Sequence, residues 1–209
     1  MTKAAKVVGA VVLAAGQSKR MGQPKLLLPW GTGTVIEQVV STLIEAGAAE
    51  VVVVTGAEEA KIRAALARVG GEGTAQTALK FVQNPEFANS EMLVSLKVGM
   101  RALDAACDGL LMALGDQPTI NTEAVRAVME TYARGEATLV VPSYQMRRGH
   151  PWLVDRSHWA FLRDMPADQT LRDFLDAHKE LIEYVVVDAP EVLEDLDTPD
   201  DYRRLRGKE

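Results

Sequence analysis

The stretch VVLAAGQSKRMGQPKLL (Val11–Leu27) begins as an apolar, β-branched run and breaks at Gly16 into a loop with two glycines and three cations, Lys19, Arg20 and Lys25, but no acid. The apolar part reads as a buried strand. Equivalent runs recur at Glu50–Thr55, Leu79–Val82, Gly109–Leu114, Thr138–Val141 and Glu183–Val187, with the first strand spanning Val7–Leu13. Helical spacing fills the intervals at Thr34–Ala46, Glu58–Val69, Met92–Ala105, Thr122–Ala133 and Thr170–His178. Alternation of this kind predicts an α/β fold, a predominantly parallel sheet with helices on both faces. In such sheets ligands bind beyond the carboxyl ends of the strands, which is where the cationic loop lies. Around residue 145 the helical rhythm fails, and PSYQMRRGHPWLV (Pro142–Val154) reads as a small β excursion, a hairpin covering a site.

The whole chain narrows the function classes. Its 209 residues, 47% of them hydrophobic, suit one domain with a sizeable core. A net charge of −6 argues against general nucleic-acid binding and makes the cationic loop stand out. The apolar runs are too short and glycine-interrupted to span a bilayer. The N-terminus carries lysines but no long apolar region with a cleavage site, so the expectation is a cytoplasmic protein. Cys107 is the single cysteine, which excludes an internal disulfide and a cysteine zinc cage, and His150, His158 and His178 lack zincin spacing.

The loop from Gly16 to Lys25 has two readings. It is either a tight turn with solvated cations or a polyphosphate site, in which glycine lets backbone N–H groups approach phosphate, Arg20 offers a planar fork and Lys25 a mobile charge. It is neither a Walker A sequence nor G-x-G-x-x-G. Gly115-Asp116-Gln117-Pro118 is equally a good turn or a strand end whose carboxylate holds Mg²⁺ over the phosphates. In LDTPDDY (Leu196–Tyr202), Thr198 and Pro199 read as N-cap and N1 of a terminal helix, with Asp200 and Asp201 favourable in its first turn. Asp197 precedes the cap and stays available as a second metal ligand. His150 either stabilises a turn or serves a site, and Trp30, Trp152 and Trp159 read as packing residues.

Together LAAGQSKRMGQPK (Leu13–Lys25), GDQP (Gly115–Pro118), RRGHP (Arg147–Pro151) and LEDLDTPDDY (Leu193–Tyr202) resemble the MobA-related nucleotidyltransferases, most closely the molybdenum cofactor cytidylyltransferase, MocA-like branch. The resemblance runs over almost the whole chain. It implies a Rossmann-like three-layer sandwich in a single domain, 1–209, with a nucleotide-binding half of about 1–118 and an acceptor-binding half of about 119–209. Leu13, Ala14, Ala15 and Gly16 would line base and ribose, Arg20 the outer phosphates and Lys25 the α-phosphate. Ser95 would lie near the base, and Asp116 and Asp197 would hold Mg²⁺. His150, Asp168 and Arg172 would bind the acceptor. Where relatives tend to read Gly-Met-Ser-Ser-Ser-Leu, this chain has Glu91-Met92-Leu93-Val94-Ser95-Leu96. Where they often read Gly-Asp-x-Gly-Ala-Arg, it has Ala167-Asp168-Gln169-Thr170-Leu171-Arg172.

The implied reaction is attack by a terminal phosphate of molybdenum–molybdopterin on the α-phosphorus of CTP, with release of pyrophosphate and delivery of the product to a molybdenum hydroxylase. Three other readings share these motifs: nucleotidyl transfer to a sugar phosphate, a non-catalytic carrier of the cofactor, and an oxidoreductase reusing the fold.

Overall fold

The computed structural model describes residues 5–69 and 77–207. Strand β1 (Val8–Ala14) lies in the middle of the sheet, and its residues serve two cores in turn because strand side chains alternate in direction. Ala10 and Val12 pack into one core, Val11 into the other. After β1 come a two-residue hairpin, β2 (Pro29–Trp30) and β3 (Gly33–Thr34), then α1 (Val35–Ala46), β4 (Glu50–Thr55), α2 (Glu59–Ala65) and β5 (Ala78–Gln83). The chain continues through α3 (Met92–Ala102), β6 (Gly109–Leu114), α4 (Thr122–Ala133), β7 (Leu139–Tyr144), β8 (Arg147–Arg148) and β9 (Trp152–Asp155). It closes with α5 (Trp159–Asp164), α6 (Leu171–Ala177), β10 (Ile182–Val186) and α7 (Pro199–Arg206).

The sheet order is β10-β7-β9-β6-β1-β4-β5, with β8 paired to β7 at its end. Strand β1 is parallel to both β4 and β6, so the chain builds outward on one side and then crosses to the other. The crevice between β1 and β6 is therefore the topological switch point, where ligands bind in such sheets. Leu13 pairs with Leu114 at the ends of the two strands, which sets the loop after β1 beside the loop after β6.

Local chemistry fixes the helix ends, at the terminal helix as its sequence predicts. Thr34 accepts from the Glu37 amide to open α1, and Gly47, at φ 102°, ends it in the left-handed conformation that favours glycine. Thr198 and Asp201 cap α7 reciprocally, with Pro199 in its first turn. Helix α3 lies close on the sheet: a Cβ at Gly99 would stand 2.4 Å from Val11 Cγ1 and 2.8 Å from Val54 Cγ2. No helix among the described residues is long and apolar enough to cross a membrane.

The β excursion is larger than the sequence indicates. Strand β8 forms the hairpin with β7, across Gln145 (φ 48°) and Met146 (φ 65°), the primed turn that suits strand twist. Strand β9, however, is inserted antiparallel between β6 and β7, with Leu153 fully buried. The run Trp152–Val154 is too short for its periodicity to separate a covering flap from a core strand. The small hairpin β2–β3 and helix α5 have no counterpart in the sequence reading.

Candidate active site

The loop after β1 is held by its own backbone. Ser18 sits at φ 52°, its carbonyl accepts from the amides of Met21 (3.0 Å) and Gly22 (3.1 Å), and its hydroxyl accepts from the Lys25 amide (3.1 Å). Gly22, at φ 72°, supplies a conformation that a side chain would strain. These three amides are used within the loop, which leaves the Arg20 and Lys25 side chains as its charged groups at the cavity. Buried Met21, Leu26 and Leu28 anchor the segment, leaving the Lys25 side chain 12% exposed and aimed at the neighbouring strand end.

That end is Asp116, two residues past β6. Its carbonyl accepts from the Leu196 amide (3.0 Å), which draws in the C-terminal acidic stretch from far along the chain. Leu196 is fully buried, and the residues on either side of it, Asp195 and Asp197, both reach the same cavity. Lys25 Nζ donates to Asp116 and, at 3.0 Å, to Asp197; the Arg20 guanidinium lies 2.9 Å from the other oxygen of Asp197. Burial alone would lower the Lys25 pKa, but the charges and hydrogen bonds of Asp116 and Asp197 outweigh it and hold it above the ordinary value. Asp195 accepts from Gln117 Nε2 at 2.7 Å; burial, and then the charge of Asp116, pushes its pKa up. A cavity of about 360 Å³ opens here, lined by Leu13, Ala14, Ala15 and Gly16 together with the charged groups.

A second cavity, about 670 Å³, adjoins it, and Met92 at the start of α3 lines both. His150 stacks on Trp152, ring centroids 4.8 Å apart and planes 14° from parallel. Arg148 is held by the Tyr184 hydroxyl and by Asp176, each at 2.9 Å, whereas Arg147 and Arg172 make no ion pair among the described residues. Burial pushes the His150 pKa down to about 4, so the ring is neutral near pH 7. The folded state then binds fewer protons than the unfolded chain, and this stabilising contribution, full above about pH 6.5, is lost as pH falls towards 4. Melting temperature measured against pH is expected to fall more steeply over that window in the wild type than in His150→Phe. Parallel curves would mean that folding does not shift the pKa of this imidazole.

The structure thus gathers Leu13, Ala14, Ala15, Gly16, Arg20, Lys25, Asp116 and Asp197 around one cavity, and His150 and Arg172 around the next. Two other candidates lie apart. Ser95 is buried with its hydroxyl accepting from Asn84 Nδ2 (3.0 Å), and Asp168 is exposed on the turn before α6; neither lines a cavity described here. Asp195 and Met92 line the site without having been singled out in the sequence, and Trp152, expected to serve packing alone, also lines the larger cavity. The Asp195-Leu196-Asp197 alternation was the available signal for the first, since residues two apart in an extended chain share a side. Cys107 is remote from this chemistry: it is buried, and burial with the nearby Glu50 pushes its thiol up to about 11.

The model of the MobA-like NTP transferase domain matches residues 10–181. The chain is 25% identical over 195 residues to the molybdenum cofactor cytidylyltransferase of Escherichia coli (strain K12), covering 93% of each. It is 30% identical over 205 residues to the nicotine blue oxidoreductase of Paenarthrobacter nicotinovorans, covering 95% of this chain and 96% of that one. The crystal structure of Rv0371c from Mycobacterium tuberculosis H37Rv superposes with a TM-score of 0.80 at 27% identity, over 98% of this chain and 100% of that one. The same protein in complex with manganese gives 0.75 at 25% identity, over 97% and 99%.

Proposed function

This chain belongs to the MobA-like NTP transferase family and is a nucleotidyltransferase, and we propose that it moves a cytidylyl group from CTP to the phosphate of molybdenum–molybdopterin. The observation that carries this reading is the pair of adjoining cavities meeting at Met92, one with Lys25 and Arg20 among carboxylates, the other with guanidinium groups around a flat, neutral ring stack. The first suits a triphosphate and the second a planar anionic acceptor. The likeness to a molybdenum cofactor cytidylyltransferase over nearly the full length supports CTP and this acceptor. In this arrangement residues from about 1 to 118 of the single domain supply most of the nucleotide cavity and those from about 119 to 209 most of the acceptor cavity, with Asp195 and Asp197 reaching the first and Met92 serving both. The product is a dinucleotide cofactor suited to a molybdenum hydroxylase.

An oxygen of the acceptor phosphate attacks the α-phosphorus, a new P–O bond forms, and the bond to the β-phosphate breaks as pyrophosphate leaves. Both phosphates are already ionised near neutral pH, so no side chain need act as a nucleophile. What the protein supplies is alignment of two anions and neutralisation of their charge. Lys25 acts at the α-phosphate and Arg20 at the departing pyrophosphate, while Arg172, Arg147 and the His150–Trp152 stack orient the acceptor. Asp116 and Asp197 fit a divalent metal, Mg²⁺ in this reading, because two hard carboxylates already converge on one cation, the Lys25 ammonium. Once bound, the metal would add positive charge at the phosphates. The manganese complex of a structural relative supports a divalent ion at this fold.

The test is pyrophosphate release with Mg²⁺ and molybdenum–molybdopterin, comparing CTP, GTP, ATP and UTP at equal concentration. Release with CTP well above the others is expected; preference for another triphosphate would keep the chemistry and change the donor. A second reading, reduction or oxidation of a planar acceptor in the larger cavity, draws on the 30% identity to nicotine blue oxidoreductase. It predicts consumption of NADH or NADPH and no pyrophosphate.

A further inference from the structure

Lys25 has two appointments that cannot be kept together. The proposed reaction places it at the α-phosphate, yet its ammonium is bound between Asp116 and Asp197, the carboxylates assigned to the metal. We infer that Lys25 is a resident counter-ion that competes with the divalent metal for these two carboxylates, so that a triphosphate, by drawing Lys25 and Arg20 away, opens the site to the metal. The inference rests on the metal site proposed above.

The geometry supports it in three ways. The Lys25 side chain is 12% exposed and the Asp116 side chain 19%, so water screens their contact weakly. Lysine has three donors and no acceptor, so oxygens it has engaged are approached by a second cation only against like-charge repulsion. Arg20 holds the remaining oxygen of Asp197, though from a side chain that is 71% exposed. Two cations thus engage two of the three carboxylates that line the cavity before any ligand arrives, while the third, Asp195, accepts from Gln117. A metal alone adds unpaired positive charge, and a triphosphate alone adds unpaired negative charge. Arriving together, they exchange partners with the protein, carboxylates to metal and cations to phosphates, so that neither pair of protein charges loses its counter-charge. Coupling of this kind is reciprocal: each ligand strengthens the other by the same factor.

The contact also has a purely structural reading, in which Lys25 only ties the first loop to β6 and the C-terminal stretch. The two differ in what removal of the lysine does to metal binding. Mn²⁺ alone is titrated into the full chain and the free ion followed by its electron paramagnetic resonance signal, with folding checked by circular dichroism. Lys25→Met is expected to bind Mn²⁺ about tenfold more tightly than the wild type, within the usual range of couplings between sites. Lys25→Gln should behave alike, which guards against one variant failing to fold, and Arg20→Met should gain less. Adding Asp116→Asn to Lys25→Met should abolish the gain. Unchanged or weaker Mn²⁺ binding in both Lys25 variants overturns the inference, as does a gain that survives Asp116→Asn. Mn²⁺ uptake by the wild type with no gain in the variants sinks the inference alone. Uptake by none of them sinks the metal site as well.

Discussion

Replacing Asp116 by alanine is expected to lower the rate of pyrophosphate release by at least about 10²–10³-fold, the usual consequence of losing one preorganised electrostatic contact at a reacting centre. The carboxylate is one of two that hold Lys25 in the cavity, and in the proposed reaction it is one of two on the metal. Its loss therefore removes one partner of Lys25 and, in the proposed reaction, one of the two carboxylates on the metal. The fold should survive, because the ties that shape this corner are main-chain bonds that alanine retains. The Gly115 amide donates to the Leu13 carbonyl and the Leu196 amide to the Asp116 carbonyl, each at 3.0 Å. Lys25 also keeps Asp197. Circular dichroism and the melting curve report on folding, and a pyrophosphate-coupled assay on the rate. Turnover near that of the wild type in a folded Asp116→Ala protein would remove this cavity from the chemistry.

The second large effect is on stability. Leu153→Ala is expected to cost about 2–5 kcal/mol, the range for deleting a fully buried leucine side chain where the surroundings collapse only in part. For a chain of this size that is a fall of roughly 4–20 °C in melting temperature. The reason lies in the topology: Leu153 pairs with Leu111 on one side and Val140 on the other, with no exposure, at the point where β9 joins the two parts of the sheet. A flap lying over the site would respond differently. Its truncation would leave the melting temperature nearly unchanged, as truncation of Met146 at the hairpin tip should, since that side chain is 98% exposed. Denaturant or thermal unfolding of the two variants decides between a central strand and a cover.

Much of the fold is legible in the chain because it is written in near neighbours. Glu50–Thr55, Gly109–Leu114 and Thr122–Ala133 come out with the very limits that their apolar spacing predicts. The terminal helix begins at the expected Thr198–Pro199 cap, and its Asp201 is committed to that cap while Asp197 is free to meet Lys25. The cationic loop and Gly115-Asp116 could be placed at strand ends for the same reason: strand, turn and helix signals act over a few residues. The pairing of strands far apart in sequence does not. That β9 fills the gap between β6 and β7 follows from closing the sheet, to which three apolar residues after a proline contribute no distinctive pattern. Trp152 reads as packing and does pack in the core, but as the first residue of β9 it also stacks on His150 and lines the larger cavity, which the short segment into β9 arranges. Ser95 faces Asn84 because of how α3 sits on the sheet, not because of the residues beside it. The meeting of Lys25 with Asp197, 172 residues away, is a product of the assembled sheet. Sequence by itself determined most of the elements and which residue types stand at their ends; the tertiary structure decided which ends meet, because burial of both sheet faces, and not local preference, selects the order of the strands.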